Sequence, residues 1–235
     1  MTVSEPRWDV MGIDERAPRR APSLAEQAYE TLREWIVAGD LAPATPLSEN
    51  DLARRFAISR SPLREAIRRL QDEKLLEPSG PRGFSVPPLG VQLVRDVYGV
   101  RRALETAAAE SATDIPAGEV AAMRARLTEQ AAEIRKGNLT PFTEGDFDFH
   151  DLFVGHCGNR LLIGHLHRLR GNIRRIMTYA GQFPGHTEAS LREHEVILAA
   201  IEAGDTASLR AAVDGHLRGV TSRLVATLEE ADRGR

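Results

Sequence analysis

The chain has 235 residues, of which 42% are hydrophobic, and a net charge of −3 at pH 7. This length allows one large domain or two modest ones with a buried core, and we expect two. The charge excludes a uniformly basic surface but permits a local positive patch that binds DNA. The only cysteine, Cys157, excludes an internal disulfide and is expected to be a small buried residue in a reducing compartment.

Residues 1–22 are predicted to form a flexible N-terminal arm. They combine prolines, a glycine and mixed charges, and they show neither a helical nor a strand period. This arm lacks the apolar run of an export signal, and no stretch of the chain reaches the ~18 apolar residues of a membrane helix. We therefore expect a cytoplasmic protein with no membrane partner.

Residues 23–87 are predicted to form a DNA-binding domain of three helices and a hairpin. Apolar residues recur at every third or fourth position through residues 24–36, which predicts a first helix. A second, shorter helix is predicted to begin at Ser48, and a third begins at Ser59 or Ser61 after a very short gap. Two short helices joined by a tight turn are typical of a helix-turn-helix.

A β-hairpin is predicted directly after the third helix. Two short extended runs, residues 75–77 and 84–86, flank a turn that is rich in glycine and proline. In this position a hairpin forms the wing of a winged helix-turn-helix. Pro87 and Pro88 then interrupt the chain and mark the predicted domain boundary.

The third helix carries a strong local positive charge. Between residues 54 and 69, six arginines against the single acid Glu65 leave a local charge of +5. Arg60, Arg64 and Arg68 are four residues apart and therefore share one exposed side. Because arginine can bind guanine edges and phosphate oxygens, this spacing favours a recognition helix in the major groove of DNA.

The alternative for this stretch is a solvated helix face. In that case ion pairs between residues four apart, Glu65 with Arg69 and Arg68 with Asp72, would hold the charges. The order of the elements, with a helix, a tight turn, an arginine-rich helix and a hairpin, favours DNA binding.

The remaining chain, residues 88–230, is predicted to form an all-α bundle of six helices. Breaks at glycine, proline and asparagine separate the helices. The predicted spans are about 89–113, 117–136, 141–156, 159–179, 187–203 and 205–229. The fold class is therefore mainly α, with an N-terminal winged helix-turn-helix and a C-terminal six-helix bundle.

Four polar side chains are predicted to point into the interior of this bundle. Asp146 and His150 lie one turn apart on one helix, and His194 and His216 lie in the apolar stripes of two others. Buried charges are costly unless they are compensated, and a shared divalent metal ion would compensate these. A single buried histidine would more simply be a hydrogen-bonded core residue, but four such groups together favour a metal site.

The other histidines are expected at surface or structural positions. His165 and His167 are two residues apart on a helix and point ~200° away from each other, so they cannot chelate together. His156 and His186 are placed in the same class.

Arg101 is a candidate for binding an acidic ligand. It interrupts an apolar stripe of its helix, so its guanidinium is expected to point inward, where it could pair with an organic acid. The alternative is an ion pair within the helix, with Glu105 one turn away. Asn172 is a second candidate for the same effector pocket.

The first domain resembles a known family. The run LAPATPLSENDLARRFAISRSPLREAIRRLQDEKLLEPSGPRGFSV, residues 41–86, resembles the winged helix-turn-helix of GntR-type regulators. Its most specific part is the SR-P-REA core, which begins at Ser59. The resemblance implies that Arg60 and Arg64 read or clamp DNA and that Ser61 touches a phosphate.

The same resemblance assigns the wing a position on DNA, and the sequence departs from the family's usual residues at two positions. It implies that Arg82 and Gly83 set the wing in the minor groove. Asn50 stands where many members carry a DNA-contacting arginine, and Ala44 stands where the family usually has glycine.

The second domain, over residues 89–228, resembles the FCD ligand-binding domain in the FadR branch of these regulators. The resemblance rests on YGVRRALE from Tyr98, D-x-x-F-H from Asp146, GN at Gly158, REHEVILAAIEAGD from Arg192 and HL at His216. It implies an Asp-His-His-His metal set at the four inward positions, and six helices fit the VanR-like subgroup. Family members often bind Zn, Ni or Mn there, and these ligand types suit all three metals.

Together these features predict a homodimeric, ligand-responsive transcription regulator. It is expected to be a repressor that leaves a palindromic operator when a small carboxylate-containing effector binds at the metal. The alternative is a metal-dependent hydrolase or lyase, since such a site can activate water. No enzyme is expected, because Glu195 should face away from the site and the winged domain would have no role. The inward polar cluster disfavours an architectural DNA binder without a ligand.

Overall fold

The computed structural model describes residues 21–80, 83–180 and 183–233. Apart from residues 21 and 22, the predicted N-terminal arm lies outside these ranges, and so does the predicted DNA contact Arg82. Among the described residues, no helix combines the length and the apolarity needed to cross a membrane. The single cysteine, Cys157, is free and buried, as the sequence predicts.

The N-terminal part is a winged helix-turn-helix. Its elements are α1 (Leu24–Ala38), β1 (Leu47–Ser48), α2 (Glu49–Phe56), α3 (Arg60–Asp72), β2 (Glu77–Ser79) and β3 (Gly83–Ser85). Ser48 caps α2 by accepting a hydrogen bond from the Asp51 amide, and Ser59 is the N-cap residue of α3. The predicted helices are therefore present, and Ser59 rather than Ser61 precedes α3.

The wing contains one strand more than the sequence predicts. β3 lies between β1 and β2 in an antiparallel sheet, and Leu47 of β1 pairs with Phe84 of β3. The two-residue β1 is too short to show a period of its own. It forms because the hairpin edge offers it backbone partners.

This part of the chain has its own hydrophobic core. Leu32 of α1 packs with Leu63 and Leu70 of α3, and Leu75 and Leu76 close the core beneath the wing. All five side chains are at most 2% exposed. The inward face of α3 is thus held by packing, which leaves its opposite face free for other contacts.

Over its described residues, the C-terminal part is a bundle of six helices, as predicted. They are α4 (Val91–Ser111), α5 (Ala117–Arg135), α6 (Thr140–Val154), α7 (Arg160–Ala180), α8 (Pro184–Glu202) and α9 (Thr206–Arg233). The long helices α4 and α9 pack along each other, and α8 packs against both α5 and α9. A second core of residues between Val94 and Leu228 fills the space between them.

Helix α7 joins the two parts. It packs against α4 in the bundle and against α1 in the winged domain. The Asn172 amide donates a hydrogen bond to the backbone carbonyl of Glu73 at 2.6 Å, and Arg175 donates to that of Pro87. A Cβ on Gly171 would lie 2.7 Å from Leu75 Cδ1, so glycine allows this close approach.

Candidate metal centre and nucleic-acid interface

Three helices bring the four predicted ligands together. Asp146 and His150 lie on α6, His194 on α8 and His216 on α9, and all four side chains are buried. One ligand atom from each residue can be chosen so that all four atoms lie within 4.8 Å of one another. The convergence that the helical stripes predict is therefore present.

Several ring nitrogens of the cluster lack hydrogen-bond partners. His150 Nε2 and both ring nitrogens of His194 are buried and have no hydrogen-bond partner. The Nε2 atoms of His150 and His194 lie 3.8 Å and 3.6 Å from Asp146 Oδ1, too far for hydrogen bonds. Each unpaired buried polar atom costs about 1–3 kcal/mol, and a divalent ion among these atoms would remove much of that cost. The residue set fits a metal ion.

Two glutamates orient two of the histidines. His150 Nδ1 donates to Glu105 of α4 at 2.6 Å, and His216 Nδ1 donates to Glu193 of α8 at 2.8 Å. A proton held at Nδ1 leaves Nε2 deprotonated and able to ligate a metal. Sequence reasoning weighed Glu105 only as a partner of Arg101, and it missed Glu193, since neither partner is near its histidine in sequence.

His194 is held by aromatic stacking. Its ring lies 3.9 Å from the Phe149 ring at an interplanar angle of 8°, and 5.2 Å from the Phe142 ring at 28°. Burial, together with the neighbouring charges of the cluster, puts the pKa of His194 well below its ordinary value. The ring is therefore kept neutral, which is the protonation state of a metal-ligating histidine.

Arg101 points inward, and it is already paired. Its Nε donates to Glu105 at 2.6 Å, and its Nη2 donates to Asp146 at 3.1 Å. The intrahelical pair that the sequence leaves open is thus formed, with a second bond to a candidate metal ligand. Burial would raise the pKa of Glu105, but Arg101 and His150 outweigh it and hold that pKa at about 2.

A cavity of about 40 Å³ lies beside the cluster. Arg101, Asp146 and His216 form one side of it, and Arg101 therefore stands where the effector hypothesis places it. The residues on the other walls were not predicted. They are Tyr98, Phe142, Met177, Ala180, His186, Thr187, Ser190, Val220 and Arg223.

Two of these wall residues were not expected at a ligand cavity. His186 was expected at a surface or structural position, but it is partly buried, lines the cavity and contacts Thr227. Arg223 binds Glu193 through two nitrogens at 2.7 and 2.9 Å. It follows His216 by two helical turns, and that spacing is the signal that could have found it.

Asn172 does not lie at this cavity, contrary to the prediction. Its side chain lies between α7 and the end of α3, where it donates to Glu73. Residues one to two turns further along α7, Met177 and Ala180, line the cavity wall instead. The sequence named Asn172 as a pocket candidate but did not show which neighbouring element it would contact.

The exposed side of α3 forms a concave surface with α2 and the wing. Its lining includes the predicted DNA contacts Asn50, Arg60, Arg64 and Gly83, together with Arg68. The predicted phosphate contact Ser61 is exposed near the start of α3. Gln71 lines the same surface and was not predicted.

The arginines of α3 do not form the pairs of the alternative interpretation. Arg64 Nε donates to both oxygens of Glu49 at 2.9 and 3.0 Å. Arg69 reaches Glu26 of α1 at 2.6 Å and lies over the Tyr29 ring at 3.8 Å. Arg69 therefore stabilises the contact between α1 and α3, and Arg60, Arg64 and Arg68 form the exposed cationic face.

Gly83 is required by the geometry of the wing. A Cβ at this position would lie 2.5 Å from the backbone oxygen of Ser79 on the neighbouring strand. Any other residue would push the two strands apart. Glycine at this position thus lets β2 and β3 pair closely, and its place in a DNA groove stays a prediction.

Comparison with known families finds a match for each part of the chain. The family model described as "Bacterial regulatory proteins, gntR family" matches residues 24–86. The FCD domain model matches residues 96–219.

Individual proteins match over most of the chain. The HTH-type transcriptional regulator YdhC of Bacillus subtilis is 31% identical over 87% of this chain and 92% of its own. The HTH-type transcriptional repressor RspR of Escherichia coli is 29% identical over 83% of this chain and 86% of its own length. A putative GntR regulator from Rhodococcus matches in fold with a TM-score of 0.68, at 20% identity over 86% and 97% of the two chains.

Proposed function

The chain belongs to the GntR family of bacterial transcription regulators and carries an FCD domain, and on this basis we propose that it is a repressor released from DNA by a small organic acid. Its relatives are DNA-binding transcription regulators rather than enzymes. The alternative of a metal-dependent hydrolase or lyase is therefore set aside. The regulator acts in the cytoplasm as a homodimer on a palindromic operator.

The observation that carries this proposal is the buried cluster of Asp146, His150, His194 and His216 beside a cavity. These four residues would hold a divalent ion such as Zn, Ni or Mn. The ion would supply open coordination positions for a ligand carboxylate or hydroxyl. A regulator that needed no ligand would gain nothing from unpaired imidazoles in its core.

The protein's own residues orient that ligand and exclude water from it. Arg101 sits at the cavity wall and can turn part of its guanidinium from Asp146 towards an acid. Phe142 and Val220 supply apolar surface. Arg60, Arg64 and Arg68 of each protomer bind one half-site of the operator. Acid binding changes the distance between the two winged helix-turn-helix domains of the dimer, so that they no longer match both half-sites.

The test uses a labelled DNA fragment from the region upstream of the protein's own gene. Metal-loaded protein is expected to bind it, and glycolate, lactate, malate or gluconate is screened for release by fluorescence anisotropy. His194→Ala should bind DNA with unchanged affinity but hold no stoichiometric metal and respond to no acid. The matched control is Glu195→Ala, which changes an exposed neighbour on the same helix.

Two results would contradict the proposal. One is stoichiometric metal in His194→Ala, since the cluster would then not be the metal site. The other is DNA binding by the metal-loaded protein that no acid alters, since the bundle would then not be a sensor of this class.

A further inference from the structure

The start of α2 presents a carboxamide at the concave surface. Asn50 is the second residue of α2, it is exposed, and it lines the concave surface together with Arg60 and Arg64 of α3. With Ser59 and Arg60 it also lines the groove between the starts of α2 and α3. Asn50 therefore lies where the two helices of the helix-turn-helix meet the exposed cationic face.

The Asn50 side chain has no structural role among the described residues. Asparagine is a poor helix former, and within proteins its side chain often caps a helix or closes a turn. Here the Ser48 hydroxyl caps α2 by accepting a hydrogen bond from the Asp51 amide. The Asn50 carboxamide forms no hydrogen bond with any described residue. Its donor and its acceptor are both available to a ligand.

The charges around Asn50 do not favour a phosphate contact. Its two neighbours in sequence are acids, and each is bound by one arginine, Glu49 by Arg64 and Asp51 by Arg54. These four charges sum to zero, so they supply no net positive charge for a phosphate at this point. Arg60 and Arg68 have no carboxylate partner among the described residues and are better suited to phosphates. This leaves the Asn50 carboxamide for the edge of a base.

Arg64 is oriented close to Asn50. Its Nε donates to both carboxylate oxygens of Glu49, at 2.9 and 3.0 Å, and its two Nη nitrogens have no partner among the described residues. The Nη groups of arginine can bind O6 and N7 of guanine together. Glu49, the residue before Asn50, therefore holds an arginine in place to bind guanine.

A carboxamide matches the edge of one purine in the major groove. Adenine presents the acceptor N7 and the N6 amino group, so an asparagine Nδ2 donates to N7 while its Oδ1 accepts from N6. Guanine presents two acceptors, N7 and O6, and would place O6 against Oδ1. The carboxamide is therefore complementary to adenine and not to guanine.

From this free carboxamide and its position we infer that Asn50 reads an adenine in the major groove and so fixes one A·T pair of each half-site. The inference rests on the DNA-binding part of the proposed function, because it requires that the concave surface faces DNA. It goes beyond that function, which names no base, and it depends on neither the metal nor the acid.

The experiment measures base preference at every position of the site. The full-length protein first selects its site from a duplex library with a random centre, and each base pair of that site is then substituted in turn. Fluorescence anisotropy at one fixed salt concentration gives the affinities of wild type and Asn50→Ala. At one position of the half-site, wild type should prefer adenine by ~5-fold or more, and Asn50→Ala should reduce this preference to less than ~2-fold. Preferences at the other positions should remain, which also shows that the variant is folded.

The matched control is Gln71→Ala. It removes the other carboxamide among the described residues of the concave surface. The preference for adenine at the position assigned to Asn50 should stay at its wild-type value. Loss of that preference in both variants would overturn the inference, since the effect would not belong to Asn50.

Modified bases test the two atoms of the contact. 7-Deazaadenine lacks the N7 acceptor, and unsubstituted purine lacks the N6 amino group. Each of them at the assigned position should weaken binding of wild type by ~5-fold or more and of Asn50→Ala by less than ~2-fold. Equal weakening of the two proteins would overturn the inference.

Asn50→Arg tests the chemistry in the opposite direction. Arginine binds the two acceptors of guanine and has no acceptor for the adenine amino group. The preference for adenine at this position should disappear in the variant, with guanine becoming the favoured base. A preference for adenine that Asn50→Arg retains would overturn the inference.

The remaining outcomes separate this inference from the proposed function. Weaker binding of Asn50→Ala to every sequence, with all base preferences retained, would make Asn50 a phosphate contact and overturn the inference alone. Loss of discrimination at a G·C pair would do the same. If wild type selects no common sequence, both the inference and the proposed operator binding are overturned.

Discussion

At the scale of single residues, the three histidines of the cluster are held in different ways. Carboxylates fix His150 and His216 through Nδ1, whereas His194 is stacked between two phenylalanine rings and has no hydrogen-bond partner. A carboxylate sets both the ring orientation and the protonated nitrogen, and stacking sets only the orientation. Loss of a carboxylate is therefore expected to affect metal binding more than folding.

Glu193→Gln should weaken metal binding about 10–100-fold, the usual effect of removing a partner of a ligating histidine. The pKa of the Glu193 carboxyl is held at about 2, because the bonds from His216 and Arg223 outweigh its burial, so it is charged at neutral pH. Competition with a chelator measures the affinity. Glu195→Gln serves as the control on the same helix, and equal affinities in the two variants would refute the orienting role.

Arg64→Ala should lower operator affinity by about 1–3 kcal/mol, roughly 5- to 150-fold, because Arg64 lies on the exposed cationic face of α3. Gel-shift titration at several salt concentrations measures both the affinity and its salt slope. Arg126→Ala removes an exposed arginine from the bundle and is the control. The recognition assignment is wrong if Arg64→Ala leaves both quantities intact.

At the scale of elements, the turn before β1 contains a residue with a strained backbone conformation. Ala44 has φ +61°, in the left-handed region that favours glycine, and its amide donates to Val86 at the end of the wing at 3.0 Å. The family resemblance places glycine at this position. The positive φ accounts for the family's glycine at this position, and nothing in the structure explains why alanine replaces it here.

Ala44→Gly should stabilise the protein by about 0.5–1 kcal/mol, because the relief of left-handed strain exceeds the entropy that glycine adds to the unfolded chain. The urea midpoint of the unfolding transition that involves the winged domain measures this. Ala42→Gly, at an exposed position without positive φ, should be neutral or destabilising. A destabilised Ala44→Gly protein would mean that the turn is not strained.

At the scale of the whole molecule, one helix contacts both the cavity and the end of the recognition helix. Met177 and Ala180 of α7 line the cavity, and Asn172 on the same helix bonds to Glu73 directly after α3. A helix moves nearly as a rigid body, so a shift at one contact is carried to the other. Helix α7 thus links the cavity mechanically to the end of α3, which is the link that the proposed function requires.

Asn172→Ala should uncouple the two sites without removing either. We expect unchanged acid affinity and unchanged DNA affinity without acid, with a smaller loss of DNA affinity when acid is added. Calorimetry and anisotropy measure the two affinities. Arg174→Ala, at an exposed position of the same helix, should retain full coupling. Full coupling in Asn172→Ala would exclude this contact as the link.

The sequence by itself determined the helices, the arginine-bearing face of α3 and the four inward polar side chains of the bundle. Helical periodicity depends only on spacing along the chain, so it shows which side chains share a face, as it does for Asp146 and His150 or for Arg60, Arg64 and Arg68. It does not show which other element lies against that face. Spacing therefore predicted the four ligands but not the partners that orient them.

Only the tertiary structure decided those partners. Glu105 and His150 are 45 residues apart, and Asn172 lies 99 residues from the carbonyl that it binds. β1 exists because β3 offers it an edge, and Asn172 faces α3 rather than the cavity because α7 has two buried sides. These contacts depend on how helices pack against one another, and the periodicity of the sequence does not specify that packing.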